Sequence, residues 1–574
     1  MASIQPRMSR GKKYWSIVES RRINGKPRTV VLEYLGTAET LLNRCHDQEE
    51  FSFKSYRHGD VRALLQVAEE LDIMRIINQF VPENKLGGKQ LRDGLSVGAS
   101  FLLAAIGRAC RPTSKMAWTE WNTETSLEYC LQASFKKLDS QHFWDQMNAL
   151  PIESIPLIET ALVSKLVEIY KIKPDCLFFD TTNFFTFIDS TNEHCELPQR
   201  GKNKQKRYDL RQIGMALLVT REEQFPLFHK TYKGNQADSP VFKESLEEIF
   251  NRLREVVGGL SDVTLVFDKG NNSKENFSQL DNAECHYVGG LVPSYFKSMI
   301  QEANKHSSTI KIDQEEIPVY RIKTTVWGKE RTCIISVSAQ LKEGQLRGIH
   351  QHLKKKYDIL NELKKKLERP KPRIKLSRAE LEGRLAKIIH GQFIEEILKA
   401  ELFELKAEQF SFSYYIDLEA FNQLDTEILG RRILVTNRHG WSTEDIILAY
   451  RGQAKVEYAF RNLKNPYHCA VRPQFHWTDQ KIRVHFLICV IAYMLSVAVY
   501  TKVRTQTKYP SNIQKLMDDL GNIRLACVAK KKSTKVKFQI EHMPQELKAI
   551  CNALSLSDDN IRSKLASSLS VTTA

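Results

Sequence analysis

The sequence predicts an α/β core, a sheet covered by helices and edged with carboxylates, behind a small β unit and an all-helical module. Three observations predict it. Two short apolar runs, Cys176-Leu177-Phe178-Phe179 and Val263-Thr264-Leu265-Val266-Phe267, each lead straight into an aspartate, Asp180 and Asp268. Runs of this length are the pattern of strands buried on both faces. A later stretch, Val456 to Lys464, carries Glu457 with Arg461 and Lys464 four and seven residues further on, all on one helical face. A carboxylate at the end of a buried strand is costly unless a cation neutralises it. The three acids are therefore expected at strand ends and on a helix, converging on a divalent ion.

The elements follow in order. Residues 1–56 read as a β-hairpin: Tyr14 to Val18 and Thr29 to Tyr34 are strand-like, with Asn24-Gly25 as the turn. Residues 57–170 turn helical, with apolar residues at spacings of three and four (Val61, Leu64, Leu65, Ala68; Leu102, Leu103, Ile106, Ala109), and are expected to form a DNA-binding module. Residues 171–292 hold the first part of the core. Here the strand ending at Asp180 is followed by strands over 213–219 and 226–232, a helix over about 240–256, the strand ending at Asp268 and one near 286–288. Three strands, a helix and a further strand with an acidic end is the order of an RNase H-like (retroviral-integrase-like) α/β fold. Residues 293–429 read as an insertion, a hairpin around Gly328-Lys329 and then charged helices in which cations outnumber acids more than two to one. Residues 430–500 resume the core with the strand Arg432 to Thr436 and the glutamate helix. Residues 501–574 form a mixed C-terminal region with a basic cluster, Lys530 to Lys537.

At 574 residues the chain is too long for one core. Lysine and arginine number 85 against 68 acids, a net charge of +17, which points to a polyanionic partner. The eleven cysteines are an odd, scattered set without a CxxC pair, which argues for free thiols and against a zinc ribbon. No apolar leader opens the chain, and the longest apolar stretch, Phe486 to Tyr500, is shorter than the roughly 20 residues a membrane span needs. It is expected to be a buried core helix, and the protein to be cytoplasmic and nucleoid-associated.

Three carboxylates around Mg²⁺ are the minimal apparatus for cutting or joining phosphodiester bonds. Cations on the glutamate's own helical face suit the phosphate. Asp209, Asp238 and the histidines 194, 229 and 476 are explained by turn chemistry or structural hydrogen bonds.

Together these residues resemble a DDE transposase of the bacterial insertion-sequence type, in the branch marked by Y-x2-R-x3-E-x6-K. Tyr450, Glu457 and Lys464 fall at its Tyr, Glu and Lys positions, and Arg472-Pro473 followed by His476 is similar to its surroundings. Asp180-Thr181-Thr182-Asn183-Phe184 and Asp268-Lys269-Gly270-Asn271-Asn272 resemble the two aspartate motifs, and Gly234-Asn235-Gln236-Ala237-Asp238 the GN-x2-D signature between them. One position departs: Gln453 stands where the motif has arginine, with Arg451 the nearest cation and Gly452 a candidate helix break. The resemblance implies an enzyme that binds terminal inverted repeats, nicks them, and joins the 3′-hydroxyl to target DNA, working as a homodimer. It implies Asp180, Asp268 and Glu457 as catalytic ligands of Mg²⁺ or Mn²⁺, two ions in all. Tyr450 and Lys464 would hold the transposon-end backbone, with Arg461 beside them on the same helical face. The loop Lys202, Lys204, Lys206 and Arg207 is a further DNA contact read from its charge. Trp327, in the hairpin, is a candidate to stack on an unpaired base. Two other readings stay open: another RNase H-like nuclease, and a DNA-binding derivative whose catalysis has lapsed.

Overall fold

The computed structural model describes residues 2–23, 26–46, 51–83, 91–189, 191–203, 205–369, 376–406, 409–530 and 536–570. Its centre is a mixed sheet of nine strands: β1 (Cys176–Thr186), β2 (Arg211–Thr220), β3 (Pro226–Lys233), β4 (Thr264–Phe267), β5 (His286–Leu291), β6 (Ser308–Ile312), β7 (Glu315–Val326), β8 (Lys329–Val337) and β9 (Arg431–Thr436). Their order is β6-β7-β8-β9-β5-β4-β1-β2-β3. The strands β1, β2 and β3 form an antiparallel meander. On the other side of β1, β4 runs parallel to it and β5 parallel to β4. The crossover from β3 to β4 is α1 (Asp238–Val257), which ends at Gly258 in the left-handed region (φ 81°) that glycine alone adopts freely. All four residues of β4 are buried, as its uninterrupted apolar run requires.

The hairpin expected in the insertion belongs to the main sheet instead. Strand β8 pairs with β9, and β7 with β6 and β8. Six consecutive residues of β8, Arg331 to Ser336, are buried, and an isolated two-stranded hairpin could not cover both their faces. Only after Val337 does the chain leave the sheet, through α2 (Ala339–Leu367), returning at Arg431. The segment between packs a core of its own around Leu360, Leu381, Phe412 and Leu429. It also holds a strand pair, Leu398–Lys406 with Gln409–Ile416, not foreseen from its charge.

Helices occupy much of residues 59–170, and their apolar side chains form one continuous core with the sheet. The core includes α5 (Asp479–Gln506), a helix long and apolar enough to cross a membrane, whose apolar window is nevertheless 94% buried inside the protein. It is a core helix, as expected.

The N-terminal unit is a three-stranded antiparallel sheet rather than a hairpin: Ala2–Ser9 joins Lys12–Ile23 and Lys26–Thr37. The added strand is exposed throughout and contains Pro6, so neither alternation nor propensity marks it as a strand. The Asn24-Gly25 turn lies outside the described residues. So do Lys531 to Lys535 of the C-terminal basic cluster. The strand before that cluster, Arg524–Lys530, pairs with Phe51–Arg57.

Two helices follow β9: α3 (Thr443–Arg451) and α4 (Ala454–Lys464). Between them Gly452 packs on the sheet so closely that a Cβ there would lie 2.3 Å from Cζ of Phe178. Close approach rather than unusual backbone demands glycine here, since its φ is −60°.

Candidate active site

The register of β1 against β4 pairs Cys176 with Thr264, Leu177 with Leu265 and Phe178 with Val266. Asp180 and Asp268 each stand two residues beyond the last pair, Asp180 still within β1 and Asp268 just past the end of β4. Asp268 does end its strand and caps the short turn that follows, accepting from the Lys269 N–H at 2.8 Å. Asp180 does not. Strand β1 continues to Thr186 because β2 pairs with it throughout, Asp180 opposite Leu217 and Thr186 opposite Arg211. The polar residues Thr181, Thr182 and Asn183 are a half-buried stretch of strand, not a loop.

Glu457 is exposed on α4 and lines a cleft of about 1190 Å³ together with Asp268, Tyr450 and Gln453. Lys269, Lys297, Lys399, Arg431, Arg432 and Arg451 bring six cations to the same cleft against four acids, Asp268, Glu396, Glu427 and Glu457. Its far side is built by the segment between β8 and β9, through residues such as Gln392 and Lys399.

Tyr450 turns towards the carboxylates. Its hydroxyl donates to Oδ1 of Asp268 at 2.8 Å. Gly290 on β5 leaves the room, for a Cβ there would stand 2.9 Å from the hydroxyl oxygen. Burial, and then the Asp268 charge, push the Tyr450 phenol's pKa up, so it stays a proton donor. The Arg432 guanidinium covers its ring at 5.4 Å. Lys464 donates to Oγ1 of Thr182 at 2.6 Å and lies 5.2 Å from the centre of the Phe184 ring, so its charge sits along the strand that bears Asp180. Arg461 is exposed one turn before it, over the Tyr458 ring at 5.9 Å. Arg451 ion-pairs with Glu315 at 2.7 Å.

Sequence reasoning passed over Asp238. At the head of α1 it accepts a hydrogen bond from Thr181 at 2.6 Å, and its Oδ2 lies 3.7 Å from where a Cβ of Gly270 would stand. A fourth carboxylate thus stands between the two aspartate segments. The GN-x2-D signature was the signal for it. Trp327 packs edge-on against Phe277, 4.8 Å between ring centres, as part of the turn from β7 to β8. Lys202, Lys206 and Arg207 are exposed in the loop before β2, where Gln212 Nε2 donates to the Lys202 carbonyl at 3.2 Å, and they are not among the residues lining the cleft. Arg207 forks onto Asp209 at 2.8 and 2.9 Å. Lys204 lies outside the described residues.

The donor chemistry of Asp180, Asp268 and Glu457 suits a hard divalent ion. Among the described residues, however, no three acids, histidines or cysteines stand close enough to hold one. A Ser-His-Asp chain elsewhere has the spacing of a hydrolytic triad: Ser100 Oγ to His142 Nε2 is 2.9 Å, and His142 Nδ1 to Asp93 Oδ2 is 2.8 Å. Ser100 and His142 are fully buried and the serine also donates to the Ser96 carbonyl, so the chain is structural.

A mixed sheet flanked by helices, with aspartates at corresponding positions along two parallel strands, is consistent with the RNase H-like fold of DDE transposases. Residues 185–495, more than half the chain, match the family model described as the transposase DDE domain, and the chain belongs to that family. The match includes Asp268 and Glu457 and begins five residues after Asp180. Among solved structures the chain is similar to one in "Cryo-EM structure of piggyBac transposase synaptic complex with hairpin DNA (SNHP)", at 10% identity and a TM-score of 0.37, over 81% of this chain and 79% of that one. No curated protein sequence matches.

Proposed function

We propose that the chain is the DNA transposase of an insertion sequence, acting as a homodimer on terminal inverted repeats by strand cleavage and strand transfer. What supports the proposal is the parallel pairing of β1 with β4, which leads to Asp180 and Asp268 at corresponding positions, together with a cleft lined by Asp268, Glu457 and several cations. Asp180, Asp268 and Glu457 would hold Mg²⁺ or Mn²⁺. Such ions, when bound, activate the attacking oxygen and stabilise the leaving one. Everything else falls to the chain's own groups. Tyr450 fixes one oxygen of Asp268. Lys269, Lys297 and Arg432 line the cleft as partners for phosphate oxygens. Lys464 and Arg461 continue the positive charge along α4, and the exposed loop at Lys202, Lys206 and Arg207 offers a remote contact to flanking DNA. Its substrate would place the protein in the cytoplasm with the nucleoid.

A nicking assay and a gel shift on the same end-bearing duplex, with Mg²⁺, test this. Asp180→Asn and Asp268→Asn should abolish nicking and leave binding largely intact, because the acids serve catalysis and the cations serve phosphates. Wild-type nicking by either variant would sink the assignment. DNA binding without nicking by the unaltered protein would favour the lapsed derivative.

A further inference from the structure

A second concentration of charge lies away from the cleft, where the helices Val97–Cys110 and Lys115–Thr123 meet the residues leading into α5. Arg108 is only 6% exposed, and its guanidinium meets the carbonyl oxygens of Ala470, Arg472 and Pro473, each at 3.3 Å. The Lys115 ammonium lies 4.9 Å from the centre of the Trp144 ring and 2.6 Å from Nε2 of His476. His476 is 1% exposed, is stacked on His485 with 4.2 Å between ring centres, and has no hydrogen-bond partner at Nδ1. Lys481 stands 5.3 Å from the Trp144 ring and 5.9 Å from that of Trp477.

Among the described residues no carboxylate acts on Arg108, Lys115 or Lys481. Burial, reinforced by Arg108, pushes the Lys115 ammonium's pKa down to about 7. Arg108 is buried and Lys115 and Lys481 are half-buried, and three neighbouring cations without an acid repel one another unless something anionic joins them. Room exists for it. Arg108, Thr113, Ser114 and Lys115 form the polar side of a half-open, otherwise largely apolar cavity of about 30 Å³, space for roughly two water-sized groups such as two phosphate oxygens, with Lys481 outside its lining. Beyond the cations, Trp477 is 47% and Phe475 62% exposed. Exposed aromatic faces beside an anion site suit a sugar and base attached to the phosphate better than a free ion.

We propose that Arg108, Lys115 and Lys481 seat one backbone phosphate of bound DNA, with Trp477 against the adjoining nucleotide. The seat lies outside the carboxylate cleft and rests on the reading of the chain as a DNA-binding transposase.

The full-length protein tests it in two measurements. The first is thermal unfolding in inorganic phosphate against chloride at equal ionic strength. The second is binding to a duplex of arbitrary sequence across a range of salt. Phosphate should raise the wild-type melting temperature, since a ligand of the folded state stabilises it, and Lys115→Met should remove the rise. The same variant should bind the duplex roughly tenfold more weakly, losing one charge-assisted contact, with the slope of log K against log salt shallower by about one. An unchanged phosphate response together with an unchanged salt slope overturns the proposal. If Lys115→Met does not fold, Lys481→Gln, at the edge of the cluster, is read in its place by the same two criteria. A phosphate response that depends on Lys115, in a wild-type protein that binds no DNA, keeps the anion seat and overturns the transposase reading instead.

Discussion

At the scale of single residues, the bond between Tyr450 and Asp268 is what distinguishes the structure from its sequence motif. A tyrosine in the motif is expected on the DNA backbone, and here the hydroxyl of half-buried Tyr450 donates to a carboxylate oxygen. In the proposed site Tyr450 would act as a positioning residue. Tyr450→Phe removes one of two donors to that oxygen, the other being the Lys269 N–H. Loss of such a supporting bond typically costs a metal ligand about 10- to 100-fold in affinity or activity. Nicking by Tyr450→Phe should fall by that order at low Mg²⁺ and recover in part as the ion is raised, with end binding unchanged. A defect insensitive to ion concentration would show that the hydroxyl does something other than hold Asp268.

At the scale of elements, Gly452 governs where the glutamate points. It lets α3 close onto Phe178 of β1 before α4 begins, and so sets the phase at which Glu457 enters the cleft. Gly452→Ala would press a methyl into that ring, an overpacking that costs about 1–3 kcal/mol. The expected result is a lower urea midpoint and a larger loss of nicking, both partly restored by Phe178→Leu in the double variant. Additive defects in the double variant would mean that the two positions are not coupled. Elements were legible in the sequence where their signal is local. The apolar run of β4, the periodicity of α1 and the glycine between α3 and α4 can all be read from neighbours in the chain. The continuation of β1 past Asp180 could not be, since Thr181-Thr182-Asn183 looks like a stop until β2 is known to lie alongside. Strand β8 looked like part of an insertion because its partner β9 comes after α2 and everything that follows it. The same holds within the site: both carboxylate-bearing strands were visible, but the Tyr450–Asp268 bond joins residues 182 apart, which spacing cannot reveal.

At the scale of the whole molecule, the described residues pack around two hydrophobic cores. The larger joins the helices of residues 59–170, the sheet and α5; the smaller is confined to the segment between β8 and β9. A unit with its own core opens on its own, with a free energy set by its smaller apolar content. Hydrogen exchange should find amides of 349–429 exchanging together and sooner than those of α5, and uniform protection across both would contradict the division. The larger core carries a different consequence, one of timing. The edge strand Phe51–Arg57 pairs with Arg524–Lys530, which is made more than 450 residues after it. At about 5–20 residues per second, the early strand waits roughly half a minute or longer for its mate. A product cut short before residue 524 would leave that edge bare, open to mispairing and degradation.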